Sequence, residues 1–441
     1  MKYAIQMAVG LAAIYSATSV KTTPGDRYTS AVVFVVVLVV ALGKGQPLPP
    51  RMRRLTVLWA GGIVVYLILG VVVSRGSAEY VTGDALLALL PLLFAVAFAK
   101  HPDWMRSHTA LVPLLVLLGI AAVTAGTVGV LRTRHEAPSS LLILACWYYA
   151  LQSRSLRLRV LMLVAAIAVL GLAYSSGYRT HMLLWAIAAV LTVWFLRGAR
   201  TVVATILVAA IMTVPFMHTK LATEIVSAFS SSRIDLLVSG RPDESAETRI
   251  GEFHDVVSTA KDEWLLGQAV VGAGFGSSYQ PRTTFIMSNV DSRGRVHSIH
   301  MGIALVFFRF GILGLLLYGL LVLKAIQLLR ECRRNFRDRL RPDPVVAVGA
   351  LGFLLFTGEF MTLNASVQPA MSLCAGVVIA AVTTKRYGES DSRKSRAIPT
   401  TRTAAAADIP TTAPVASANR APSDAATTIT SPEARRTTNT A

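Results

Sequence analysis

Long apolar runs recur along most of the chain, and they narrow the possible folds more than any other feature. A bilayer core takes roughly 17 to 25 residues of helix to cross. Twelve runs of that order are read: 4–20, 30–43, 55–74, 84–100, 110–131, 139–152, 158–175, 180–197, 201–217, 300–329, 345–363 and 369–384. The second and the sixth are short, which suits a re-entrant or differently tilted passage. Backbone polar groups in hydrocarbon must be paired within their own segment, so runs of this kind are helices. The expected fold class is an all-α polytopic membrane protein with about 12 transmembrane helices. Charged residues make up 15% of the chain, where a soluble domain carries about a quarter. Met1-Lys2-Tyr3 resembles the start of a signal peptide, but no small-residue cleavage site comes after it, so the first run is read as an anchor.

The formal net charge of +19 invites a nucleic-acid reading. Its placement argues against one. With the amino terminus inside, the inner loops hold Lys44, Arg51, Arg53, Arg54, Lys100, Arg106, Arg154, Arg157, Arg159, Arg197, Arg200 and the Lys324–Arg341 cluster. The short outer loops hold only Lys21, Arg27, Arg75, Arg132, Arg134 and Arg179. This is the positive-inside asymmetry of a membrane protein. The basic excess sets orientation and suits anionic membrane lipids; no nucleic-acid partner is expected. Both termini fall on the cytoplasmic side of a cytoplasmic membrane.

The chain divides into 1–217 with spans one to nine, a polar segment at 218–299, spans ten to twelve at 300–385, and a tail at 386–441. The polar segment is the one long extracytoplasmic loop and is nearly neutral, with 8 Lys/Arg and 10 Asp/Glu between Lys220 and Ile299. The tail is Thr, Ala, Ser and Pro with scattered Arg; it cannot bury a core and is expected to be disordered. None of the three cysteines lies in the outer loop, so neither a disulfide framework nor a zinc spacing is implied.

Chemistry on polar substrates is left mainly to the outer face. Arg179 opens span eight, where a helix start and a guanidinium together suit an anion; an interface arginine reaching for water is the other reading. Within the loop, Ile250, Phe253, Val257, Ala260 and Trp264 fall at helical spacing and predict an amphipathic helix. Asp243 or Ser245 is placed to cap its start and Gly267 to end it. The helix is expected on the membrane surface or over a cavity. Arg249 lies near its start, off the apolar stripe, and Glu252 and Asp255 read as its companions on the helix face rather than as catalytic acids. Gly272, Gly274 and Gly276 allow a sharp turn or a close backbone approach. His297 and His300, three residues apart where the next span begins, can serve as a general base or as polar interface residues. A metal pair is disfavoured, because HxxH lacks a neighbouring glutamate and a third ligand.

Four segments, taken in order, resemble the O-antigen ligase and polymerase superfamily of bacterial membrane glycosyltransferases. They are Tyr174–Thr180 around Arg179, Thr248-Arg249-Ile250, Trp264–Gly267 through Gly272–Gly276, and His300 with Gly311-Ile312-Leu313-Gly314 eleven residues on. The resemblance spans roughly residues 165–320. It implies a metal-independent, GT-C-like enzyme without cofactor. Such an enzyme transfers a glycan from a polyprenyl-diphosphate-linked donor to a hydroxyl of a glycan or lipid acceptor, outside the cytoplasmic membrane. It also implies that Arg179 and Arg249 hold the diphosphate and that His300 assists the acceptor, with His297 as its helper or counterpart. Met301 stands where the family has Asn. Ligase-like transfer is the leading reading and repeat-unit polymerase its near alternative. A transporter of lipid-linked glycans is the alternative of another class, and a structural or interaction protein of the envelope a further one.

Overall fold

The computed structural model describes residues 34–103, 137–204, 207, 244–282, 293–297, 299–337, 343–362 and 368–396, save 36, 74–75, 77, 154, 176–178 and 265–266. Expected spans 4–20 and 110–131, most of 201–217, and the chain beyond residue 396 lie outside the described residues. Ten of its helices form the framework. In chain order they are α1 Pro50–Ile68, α2 Ala78–Lys100, α3 Ala137–Gln152, α4 Leu156–Ser175, α5 Arg179–Arg197, α6 Glu244–Glu263, α7 Gln268–Val271, α8 Gly302–Arg337, α9 Pro344–Thr362 and α10 Gln368–Arg396. The described residues contain no strand, only an isolated antiparallel bridge between Tyr279 and Val296.

Four described helices are long and apolar enough to cross a membrane: Pro50–Val73, Tyr80–Lys100, Gly302–Asn335 and Pro344–Met361. Shorter apolar helical stretches are Ala186–Arg197 and Ala370–Thr384. Side-chain exposure points to the same surroundings. On α1, Val57, Leu58, Val64 and Val65 are exposed, and on α8 so are Leu316, Leu317, Leu320 and Leu323. Apolar faces of that extent are unfavourable in water and are at home in lipid. The protein is therefore membrane-embedded and all-helical in its described part.

The main core joins α3, α5, α6, α8, α9 and α10 through Tyr148, Phe195, Val256, Phe308, Phe353, Phe356 and Val378. A second core joins α1, α2 and α10 through Met52, Phe94 and Ile379. Gly376 lets α10 approach α2 closely; a Cβ there would lie 2.4 Å from the Cβ of Phe94. The closing helix continues to Arg396, past residue 386 where the sequence pattern begins the tail.

Two helices are irregular. The end of α1 widens into a π-turn, Leu69–Val73, and α8 is broken at Gly311 with φ 64° and ψ −161°. Both irregularities lie where the segment after α7 crosses these helices.

Candidate functional site

The segment Gly272–Gly276 runs between α1 and α8 rather than over them. The Ala273 N–H donates to the Phe308 carbonyl, the Gly274 N–H to the Arg309 carbonyl, and the Phe275 N–H to the Tyr66 carbonyl. Residues 308–310 lie about two turns, roughly 10 Å, inside α8 from its first residue. This part of the expected outer loop is thus a wedge within the bundle. Extended backbone at that depth needs partners for its polar groups, and the broken helices supply them. Glycine is required by contact as well as by conformation. A Cβ on Gly272 would lie 2.4 Å from the Arg309 backbone, and one on Gly274 2.5 Å from the nitrogen of Gly70. Both residues have positive φ, 79° and 87°.

The wedge is tied down by charge. Asp84, inside α2, accepts the Gly276 N–H at 2.8 Å and the Arg309 Nη1 at 2.7 Å. Arg309 Nη2 donates to His297 Nε2 at 3.1 Å. A guanidinium has no lone pair to offer, so His297 Nε2 must accept and its proton must sit on Nδ1. Nδ1 lies 3.1 Å from the Ser277 carbonyl, the acceptor this tautomer requires. The imidazole also stacks on Tyr80, with 4.0 Å between ring centroids. His297 is buried, and both of its ring nitrogens are engaged.

His300 is differently placed. Its side chain is 57% exposed, and Nδ1 lies 3.1 Å from Glu252 Oε1, whose side chain is 1% exposed. Glu252 Oε1 also accepts the Tyr279 hydroxyl at 3.3 Å. Oε2 accepts the backbone N–H of His300 at 2.9 Å and that of Met301 at 3.4 Å, just before α8 begins. One carboxylate thus ties α6, the loop and the start of α8 together. The Glu252 hydrogen bond and charge raise the His300 imidazole above its ordinary value, against opposing contributions from burial and the Arg249 charge. Burial and the same carboxylate push the Tyr279 phenol up, so it acts there as a donor.

Helix α6 forms where the apolar spacing predicts it, with most of that stripe facing outward. Ala260 is buried and Trp264 packs on Phe307 and Phe308, whereas Ile250, Phe253 and Val257 are exposed. The polar line Glu252, Asp255, Thr259 turns inward. Asp255 accepts the Arg282 N–H and Thr259 the Gln280 N–H. An irregular loop carries unpaired amides, and this polar line satisfies them. Glu252 and Asp255 are therefore not the solvated helix-face residues that their spacing suggests. Gly267, expected to end α6, instead precedes α7 with φ 99°; of the two expected caps, Asp243 lies outside the described residues and Ser245 lies within α6.

Of the sequence-predicted site, Arg249 is half-buried on α6 one turn before Glu252, and its charge reaches His300. Arg179 opens α5, as expected, but its side chain lies outside the described residues. The other end of α5 meets the C-terminal part of α8, where Arg333 lies over Trp194. Asp84 and Arg309 are not singled out by the sequence pattern, and Glu252 is read there only as a helix-face companion of Arg249. The two in spans carried a signal, since charge within an apolar run marks a built polar site. Among the described residues no three His, Cys, Asp or Glu side chains converge as metal ligands would. No protein-family model matches the chain, and no curated protein matches it.

Proposed function

We propose that this protein is a membrane glycosyltransferase that moves a glycan from a polyprenyl-diphosphate-linked donor to an acceptor hydroxyl on the outer side of the cytoplasmic membrane. The observation that carries the reading is His300: an exposed imidazole at the start of a membrane-spanning helix, held through Nδ1 so that Nε2 is left for a substrate. The acceptor hydroxyl gives its proton to Nε2, and its oxygen attacks the anomeric carbon. The carbon–oxygen bond to the diphosphate breaks, and the polyprenyl diphosphate leaves with the electron pair. Arg249, whose charge is felt at His300, supports the developing negative charge. Arg179 joins it on the strength of the sequence resemblance. His297 is assigned to the wedge, not to the proton transfer. The basic inner loops orient His300 outward.

The test is transfer by purified protein in lipid nanodiscs, with a polyprenyl-diphosphate-linked glycan and acceptor supplied. His300→Ala is expected to lower the rate by about 10²–10⁴ while donor binding persists. Full activity in His300→Ala, or no transfer by wild type with any lipid-linked donor, overturns the reading. Loss of wild-type activity on adding a chelator removes its metal-independent form. The same chemistry serves a ligase and a polymerase; supplying a foreign lipid acceptor or a second repeat unit separates them.

A further inference from the structure

We infer that Glu252 is the positioning residue of this site: its buried carboxylate holds His300 in the Nδ1–H tautomer, so that Nε2 carries the lone pair that takes the acceptor's proton. The role in transfer rests on the function proposed above; the tautomer assignment stands on geometry alone. An ionised carboxylate offers about four lone-pair sites and no donor. Here each oxygen meets two donors: the Tyr279 hydroxyl and His300 Nδ1 at Oε1, the His300 and Met301 amides at Oε2. Backbone amides can only donate, so the Oε2 side cannot change its polarity. On the Oε1 side, a carboxylate that only accepts forces the imidazole proton onto Nδ1. Nε2 is then the remaining lone pair, on a ring that is more than half exposed while its partner is buried.

Among the described residues, the charges that act on His300 are those of Glu252 and Arg249. Glu252 and Arg249 face it from α6, and Tyr279 reaches the shared carboxylate from the loop, with Asp255 acting on that phenol from one turn further along α6. After proton transfer the imidazole is cationic, and Glu252 is already in place as its counter-ion. The carboxylate keeps its charge throughout and takes no proton itself.

Glu252→Gln separates this role from mere packing. The glutamine must turn its oxygen toward the two backbone amides, because its NH₂ cannot donate to donors. Its NH₂ then faces His300 Nδ1, which can receive a hydrogen bond only if the imidazole proton moves to Nε2. The variant keeps shape and the contact to the start of α8 but presents the wrong tautomer. We expect turnover to fall by about 10²–10⁴ with little change in KM, and partial recovery in Glu252→Asp.

The experiment uses the full chain, labelled with ¹⁵N-histidine, in nanodiscs at about pH 9, above the ordinary imidazole range. The His300 resonances are identified by their loss in His300→Gln. Wild type is expected to show Nδ1 protonated and Nε2 bare, and Glu252→Gln the reverse. Nε2–H in the wild type overturns the inference whether or not any variant folds, and so does an unchanged tautomer in a folded Glu252→Gln. A tautomer that switches as expected, in a protein that transfers no glycan, leaves the Glu252 assignment standing and removes the proposed function. Transfer that survives Glu252→Gln at the wild-type rate removes the positioning role.

Discussion

Asp84→Asn should destabilise the protein out of proportion to the change of one atom. Asp84 and Arg309 are a close pair at 2.7 Å, with side chains 5% and 7% exposed. Asparagine can still accept the Gly276 amide, so the wedge keeps that bond. What is lost is the counter-charge of a guanidinium that water cannot reach. Removing one partner of a buried pair typically costs about 3–5 kcal/mol, because the other charge stays buried. Asp84→Ala gives up the Gly276 bond as well, adding roughly 1–3 kcal/mol for the orphaned amide. The chain supplies its own reporter: Cys146, Cys332 and Cys374 are all free and buried, so a thiol-reactive dye should label them only on unfolding. In nanodiscs the midpoint for Asp84→Asn should fall by on the order of 5 °C or more. The double variant Asp84→Asn/Arg309→Met removes both charges, keeps an acceptor for the Gly276 amide and should regain much of that loss, retaining a deficit for the unmet His297 Nε2. Two results would refute the reasoning: a wild-type midpoint in Asp84→Asn, or a double variant no more stable than the single one.

The raised His300 value gives a pH signature. Its contribution to stability is full below the ordinary imidazole value of about 6.5 and is lost as pH rises through the raised folded value. The midpoint gap between wild type and His300→Gln should therefore be wider at about pH 6 than at about pH 9; an equal gap would deny the coupling. Transfer should rise with pH through the same range, as the base sheds its proton, and the pH dependence of kcat/KM checks it. Gly274→Ala should disrupt the wedge, since its Cβ would meet Gly70 backbone at 2.5 Å and its φ is 87°; dye labelling at the wild-type temperature would contradict this. Arg249→Lys and Arg179→Lys should each weaken binding of a polyprenyl diphosphate despite the retained charge, because lysine lacks the planar fork; unchanged affinity by a lipid-binding assay would return both residues to an interface role.

Much of the scaffold is legible in the chain because hydrocarbon is an exacting solvent. A run such as 345–363 has no way to satisfy its backbone in lipid except as a helix, and α9 forms there over Pro344–Thr362. The helical spacing from Ile250 to Trp264 likewise locates α6, and the glycines at 272, 274 and 276 mark where backbone meets backbone closely. The positions of His297 and His300 at the start of a span are also plain in the sequence.

Their division of labour is not. Three residues separate the two histidines, yet one is locked between Arg309 and the Ser277 carbonyl while the other rests on Glu252 with an exposed ring. Those partners lie 12, 20 and 48 residues away, and no local period relates them. The role of the polar line on α6 was hidden for the same reason. Its apolar stripe suits a membrane surface but says nothing of what the opposite face meets; the amides of Gln280, Arg282, His300 and Met301 draw Glu252, Asp255 and Thr259 inward. Within the described residues, sequence alone located the long helices, because that depends on each segment and its solvent. Tertiary structure decided which polar groups face each other, because a buried donor is satisfied by whatever acceptor the packing brings to it, however distant in the chain.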